Sequence, residues 1–272
     1  MSSQLLNGKT IARRINEQTR QALAELDFVP GLGVILVGND PASQLYVGLK
    51  EKACRRLGIE FIRRDLPADA TQAEVLTALR GLNEGTAIHG IIVQLPLPPH
   101  LATDEIIAAI DPRKDADGFH PANAERDDVP PVLPQAVLEL LRETEQDLTD
   151  QTAVVLANSE IFFNQLERTL KTADINSVLT APHDLTAIKE ADILIVALGN
   201  PSLIRGEHIK DGAIVIDIGT TRVDNRTVGD VDSASVQDIA GWLTPVPGGV
   251  GPVTVALLLQ NVVRLAKKNQ PH

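Results

Sequence analysis

The chain has 272 residues, 43% of them hydrophobic, and a net charge of −11 from 36 acidic against 25 basic side chains. This is a globular composition with room for two modest domains, and its basic residues form no stripe that would track a nucleic acid backbone. The single cysteine, Cys54, excludes an internal disulfide framework and suits a reducing compartment. The opening MSSQLLNGKTIARR lacks the apolar core of a signal peptide, and no apolar run reaches the ~18–20 residues that would cross a bilayer. The expectation is a soluble, cytoplasmic protein with neither nucleic acid nor membrane as partner.

Helix and strand patterns alternate almost throughout, which predicts α/β layers with largely parallel sheets. An amphipathic helix is predicted over Lys9 to Leu26, with Ile11, Ile15, Leu23 and Leu26 as its stripe. The continuous apolar run Leu32 to Val37 predicts a buried strand. A second helix starts near Ser43, an N-cap candidate after Pro41, and runs to Leu57. A strand at Glu60 to Leu66, a helix from Thr71 to Leu82 and a strand from Ile88 to Gln94 follow. LPLPPH and a short helix, Asp104 to Ile110, then lead into DPRKDADGFHPANAERDDVPPVLP, whose Pro, Asp and Gly content marks a domain junction. Pro134 suits the first turn of a helix reaching Thr144. Strands are predicted near Ala153–Ala157, Ser177–Leu179, Asp192–Ala197 and Ala213–Ile218. The final apolar helix, Val253 to Lys267, is expected to pack back on the first domain.

Few residues carry chemistry on this scaffold. Tyr46 and Lys50 stand four residues apart on a predicted helix and so project from one face. An amine there can anchor or donate, and with a pKa lowered by burial it can act as a base; the plainer alternative is a solvated helix charge. Gln94 ends an apolar strand at the edge where open α/β sheets bind ligands, or makes only a strand-terminal hydrogen bond. Asp117 lies in KDADGFHP, where Asp-Gly first suggests a turn but the carboxylate could pair with an amine-bearing ring. His120 is better explained as a turn residue than as a metal ligand, and the six histidines show no ligand spacing. Pro245 to Pro252 forms a Gly/Pro loop that no regular element could contain, of a kind that brings backbone close to a ligand.

Four segments in order, PASQLYVGLK, VQLPLP, KDADGFHP and PVPGGVGP, resemble the bifunctional methylenetetrahydrofolate dehydrogenase/methenyltetrahydrofolate cyclohydrolase family over nearly the whole chain. The resemblance implies two α/β domains: a folate-binding catalytic domain over residues 1–120 completed by the C-terminal helix 253–268, and a Rossmann-like dinucleotide-binding domain over 134–252. It implies hydride transfer from methylenetetrahydrofolate to a nicotinamide, NADP or NAD, followed by hydrolysis of the methenyl cation to formyltetrahydrofolate. Lys50 would be the catalytic amine, Tyr46 and Gln94 would position it and the substrate, and Asp117 would anchor the pterin. Pro245, Gly248, Gly249 and Pro252 would line the folate pocket. Ser159, Asn158, His183, Thr186 and Gly219 would lie at the cofactor site, and a homodimer formed through the nucleotide domains is implied.

One segment departs from the family pattern. Where a loop close to Gly-x-Ser-x-x-Val-Gly-x-Pro is usual, this chain has Ala157 to Gln165, with Ala157 and Phe163 for the glycines and Gln165 for the proline. Such glycines permit a tight turn and close approach to phosphate. Glu160 adds negative charge, and Asn158 stands where many members carry arginine. Pro131-Val132-Leu133-Pro134 likewise replaces Pro-Cys-Thr-Pro. The expectation is weakened or absent dinucleotide binding with folate chemistry retained; a non-catalytic folate-binding paralogue is the alternative, and an unrelated nucleotide oxidoreductase a third.

Overall fold

In the computed structural model, which describes residues 2–123, 129–181, 185, 187–224 and 226–269, the chain divides into two compact units. One comprises Arg13–Val132 with Val255–His272, the other Met1–Ala12 with Leu133–Thr254. In chain order the elements are β1 (Gln4–Leu5), α1 (Gly8–Leu23), β2 (Gly31–Val37), α2 (Pro41–Leu57), β3 (Glu60–Leu66), α3 (Gln72–Glu84), β4 (Gly90–Val93) and α4 (Thr103–Ala108). Then come α5 (Val132–Arg142), β5 (Thr152–Ala157), α6 (Glu160–Lys171), β6 (Asn176–Thr180), β7 (Ile193–Ala197), β8 (Ile214–Asp217), β9 (Thr221–Val223), β10 (Arg226–Val228), α7 (Ser233–Val236), β11 (Trp242–Leu243) and α8 (Val250–Lys268).

The Arg13–Val132 unit is built on a three-stranded parallel sheet in the order β3-β2-β4. All seven residues of the central β2, GLGVILV, are buried, as its unbroken apolar run requires of a parallel strand covered on both faces. Val75, Leu79 and Leu82 of α3 and Ile106 of α4 pack with Ile35, Val37, Ile91 and Val93 of the sheet. Thr71 caps α3 in a reciprocal box with Glu74. Helix α2 begins earlier than the sequence suggested: Asp40, not Ser43, is the N-cap, its carboxylate accepting from Ser43 N, and Pro41 fills the first turn. Past β4 the chain pairs once more with the sheet, Asp115 bridging to Ile91. From Val255 onward α8 belongs to this unit, Asn261 donating to Ala116 O and Pro130 O.

The other unit holds a six-stranded, all-parallel sheet in the order β1-β11-β8-β7-β5-β6. From β5 the chain steps through α6 to β6 on one side, and β7 then pairs on the opposite side of β5. The topological switch point therefore lies between β5 and β7. Leu156, Leu194, Val196, Val215, Val236 and Leu243 are among its core residues. Strands β1 and β11 and the β9–β10 hairpin are two or three residues long, too short for a periodic pattern, and nothing in the residue order announced them. Helix α8 is, among the described residues, the one helix long and apolar enough to cross a membrane, but Val253, Leu257, Leu258, Leu259, Val262 and Val263 are buried, as in a core helix.

Gly90 marks the tightest approach of α8 to the sheet. A Cβ there would lie 2.8 Å from Val262 Cγ2 and 3.1 Å from Ala116 Cβ. Gly90→Ala should lower Tm, the overpacking costing about 1–3 kcal/mol; an unchanged melting curve would show that α8 can shift aside.

Candidate functional site

Helix α2 sets the geometry of the amine. Its inward face carries the buried Ser43, Val47 and Cys54, so that Tyr46 and Lys50, half-buried, sit at the margin of that face. Lys50 Nζ donates to Gln94 Oε1 at 2.9 Å. Gln94 follows β4, with its backbone N–H on Ile35 O and its side-chain Nε2 donating to Leu95 O at 2.7 Å. With the amide nitrogen engaged, its oxygen is left to face the amine. Both residues thus meet at the carboxyl edge of the β3-β2-β4 sheet, the edge that the sequence indicated for Gln94.

Burial shifts the acid, the amine and the thiol here. Desolvation holds the Lys50 amine below the usual lysine range, partly offset by the negative charge of Asp117. Burial pushes Asp117 up to about 6 against the opposing pull of Lys50, with Asp115 adding to the rise. Cys54, one turn beyond Lys50, is pushed up to about 12 by burial, so its thiol stays protonated and inert. Lys50, Gln94 and Asp117 are thus brought into one electrostatic neighbourhood, with Tyr46 one turn before Lys50.

The sequence missed the frame around Asp117. Asp115 is 1% exposed and accepts from Gly118 N, His120 N and Asn123 Nδ2. His120 bonds Ala108 O through Nε2 and accepts from Ala122 N at Nδ1; it is a buried turn residue, as its sequence context suggested. Ser43, considered only as a cap, instead buries a hydroxyl that has no hydrogen-bond partner within the structure.

The other predicted residues belong to the Leu133–Thr254 unit. In the Pro245–Pro252 loop, Gly249 N donates to Pro245 O at 2.7 Å and Gly248 has φ +120°, a conformation suited to glycine. A Cβ on Gly249 would fall 2.7 Å from Thr244 Cβ. Pro252 lies in the first turn of α8. At the switch point Ser159 is the N-cap of α6, its Oγ accepting from Phe162 N. Asn158 Nδ2 donates to Leu198 O, tying the end of β5 to the end of β7. Leu198 N and Gly199 N both donate to the buried Asp230. A Cβ on Gly219 would fall 2.2 Å from the Asp230 carboxyl carbon, so this position admits only glycine. Asp217, accepting from Gly219, Asp230 and Val231 N–H groups, is pushed up to about 7 by burial. His183 and Thr186 lie outside the described residues.

This strand–turn–helix at the switch point fits a dinucleotide in its scaffold: the first-turn amides of α6 face the carboxyl edge of the sheet, where a pyrophosphate is held. The charge and bulk are less accommodating. Glu160 stands in the first turn, favourable to the helix dipole but of the same sign as a phosphate. Ala157 is buried in the sheet and Phe163 half-buried in the first turn of the helix. Among the described residues no cluster could hold a metal ion.

The sheet order, its switch point and the N-capped helix beside it define a Rossmann-like α/β protein. Residues 6–117 match the family model of the tetrahydrofolate dehydrogenase/cyclohydrolase catalytic domain and residues 131–270 that of its NAD(P)-binding domain. The bifunctional protein FolD of Acetivibrio thermocellus is 42% identical over 98% of both chains, and that of Nautilia profundicola 43% over 97% of both. The crystal structure of FolD from Campylobacter jejuni, a methylenetetrahydrofolate dehydrogenase/cyclohydrolase, superposes with TM-score 0.91 at 38% identity, covering 99% of this chain and 100% of that one. The Trypanosoma brucei enzyme, complexed with NADP and an inhibitor, gives 0.92 at 36%, covering 98% of each. The chain belongs to the tetrahydrofolate dehydrogenase/cyclohydrolase family.

Proposed function

We propose that the protein interconverts one-carbon forms of tetrahydrofolate, oxidising 5,10-methylenetetrahydrofolate to the methenyl form and hydrolysing that to 10-formyltetrahydrofolate, and that Lys50 carries the hydrolytic step. The observation that supports it best is the 2.9 Å contact from the desolvated Lys50 amine to Gln94 Oε1. An amine held below its usual pKa gives up its proton more readily than an exposed lysine. Donating one N–H to Gln94 then aims its lone pair elsewhere. In the reaction water adds to the cationic methenyl carbon, losing a proton to the amine. The resulting ammonium returns that proton to the ring nitrogen as its carbon–nitrogen bond breaks, and the adduct's hydroxyl gives up its own proton to water as the formyl C=O forms. Asp117 would accept from the amino and ring N–H groups of the pterin, and Tyr46 would orient the substrate.

Pro245, Gly248, Gly249 and Pro252 would line the folate pocket with backbone and ring surface. A bound nicotinamide would supply the hydride acceptor for the oxidation. Ser159, Asn158 and Gly219, with His183 and Thr186, would hold the dinucleotide, through a looser phosphate grip than glycines at 157 and 163 would allow. Each charge-assisted phosphate contact forfeited costs about 1.5–3 kcal/mol, one to two orders of magnitude in affinity. The chain would act in the cytoplasm as a homodimer joined through its nucleotide-binding domains.

Lys50→Ala should lower methenyltetrahydrofolate hydrolysis by about 100-fold or more while folate binding persists; unchanged turnover would remove Lys50 from the mechanism. Ala157→Gly combined with Phe163→Gly should tighten NADP binding, measured directly by calorimetry, and no gain would show that the native loop already grips its phosphates. Light scattering should give twice the chain mass, and a single-chain mass would refute the dimer.

A further inference from the structure

Asp117 is held at four backbone points. The preceding residue, Ala116, donates its N–H to Ile91 O of β4 and accepts at its carbonyl from Asn261 of α8. Asp117's own carbonyl accepts from Val132 N at 3.0 Å. On the other side Gly118 N donates to the Asp115 carboxylate at 3.1 Å. Gly118 sits at φ +77°, with Pro131 so close that a Cβ would fall 2.7 Å from its Cα. Of these four anchors only one is a charged group, and that group also binds His120 N at 2.8 Å and Asn123 Nδ2 at 3.1 Å. A carboxylate only 1% exposed and occupied by three donors is costly to place unless it serves the segment it binds.

We infer that Asp115 is a positioning residue for Asp117: it clamps the 117–123 segment through three hydrogen bonds and sets a second negative charge behind the first. Among the described residues the charged groups facing Asp117 are Lys50 of α2, which favours its ionised form, and Asp115, which opposes it. Lys50 in turn faces Asp117, Cys54 and the neutral Gln94. Asp117 therefore sits between an amine and a carboxylate, and its proton affinity answers to both. Burial, with Asp115 adding to it, pushes Asp117 up to about 6. Below that pH it becomes protonated and loses an acceptor for an amine-bearing ring; above it the carboxylate is available. This rests on the proposed role of Asp117 in holding the pterin.

The test is Asp115→Asn in the full chain. The substituted amide has one acceptor oxygen where the carboxylate has two, so it cannot serve Gly118 N and His120 N as the native group does, and it carries no charge. The Asp117 titration, followed by carboxyl-carbon NMR with Asp117→Asn as the assignment control, should move to lower pH as the like charge is removed. Tetrahydrofolate affinity at pH 7 should fall by about tenfold, with its acid limb displaced to lower pH in step. A midpoint that stays near that of the native chain, or an unchanged affinity, overturns the inference. Should Asp115→Asn fail to fold, Asn123→Ala removes a single donor from Asp115, and it should weaken tetrahydrofolate binding several-fold. Binding equal to the native chain's in that variant overturns the inference as well. If the native chain binds no tetrahydrofolate at all, the functional proposal fails, while the Asp117 midpoint still decides the role of Asp115.

Discussion

Lys50 donates to Gln94 across 2.9 Å, and most of what surrounds that hydrogen bond exists to make it tolerable. Removing an ammonium from water is expensive, and the chain answers in two ways. It lets the amine lose its proton more easily than an exposed lysine would, and it places Asp117 where its charge compensates when the proton stays. Gln94 contributes a neutral partner whose orientation is fixed by its own bond to Leu95 O. A neutral partner matters, because a carboxylate in that place would lock the lysine in its charged form. The helix that carries Lys50 is rigid for independent reasons: an aspartate N-cap, a proline in its first turn, and Gly58 as a left-handed C-cap. The amine is thus presented by an element that does not depend on ligand for its order.

The nucleotide-binding unit solves a different problem. Its all-parallel sheet opens a crevice at the point where the chain changes direction between β5 and β7. The walls of that crevice are cross-tied: Leu198 has its carbonyl held by Asn158 and its amide by Asp230. Asp230 and Asp217 are buried acids held by backbone donors from separate loops, and Gly219 exists in its place because a carboxylate fills the space of a side chain. Such a scaffold can persist while the residues that face a ligand change. Glu160 and Phe163 stand in the first turn of α6 and Ala157 at the end of β5, and the strand–turn–helix is intact, with Ser159 as its cap.

Long, strongly patterned elements were legible in the sequence. The unbroken apolar run of β2 and the apolar length of α8 each announced their structure through a single physical rule. The start of α2 was misplaced because Asp40 and Ser43 are both capping residues, and only the geometry shows Asp40 accepting from Ser43 N. At the site, Lys50 and Gln94 were legible as residue types in plausible places, but not as a bonded pair, since 44 positions separate them. Asp115 was invisible for another reason. Two aspartates flanking an alanine before glycine suggest a turn, and nothing in the spacing says which one is buried in donors. Strands β1 and β11 pair residues far apart in the chain over two positions, below the length at which any pattern can be recognised.

Neither compact unit is a continuous stretch of chain. The one that carries Lys50 needs Val255 onward, and the six-stranded sheet pairs Gln4 with Trp242. During synthesis on the ribosome, neither can therefore complete itself until those distant partners have emerged. Asn261, which staples the Asp117 segment through Ala116 and Pro130, leaves the exit tunnel 145 positions after Ala116. A nascent chain stalled before α8 would expose the apolar face of the β3-β2-β4 sheet that Val262 covers at Gly90. Until α8 has emerged, that face has no cover of its own.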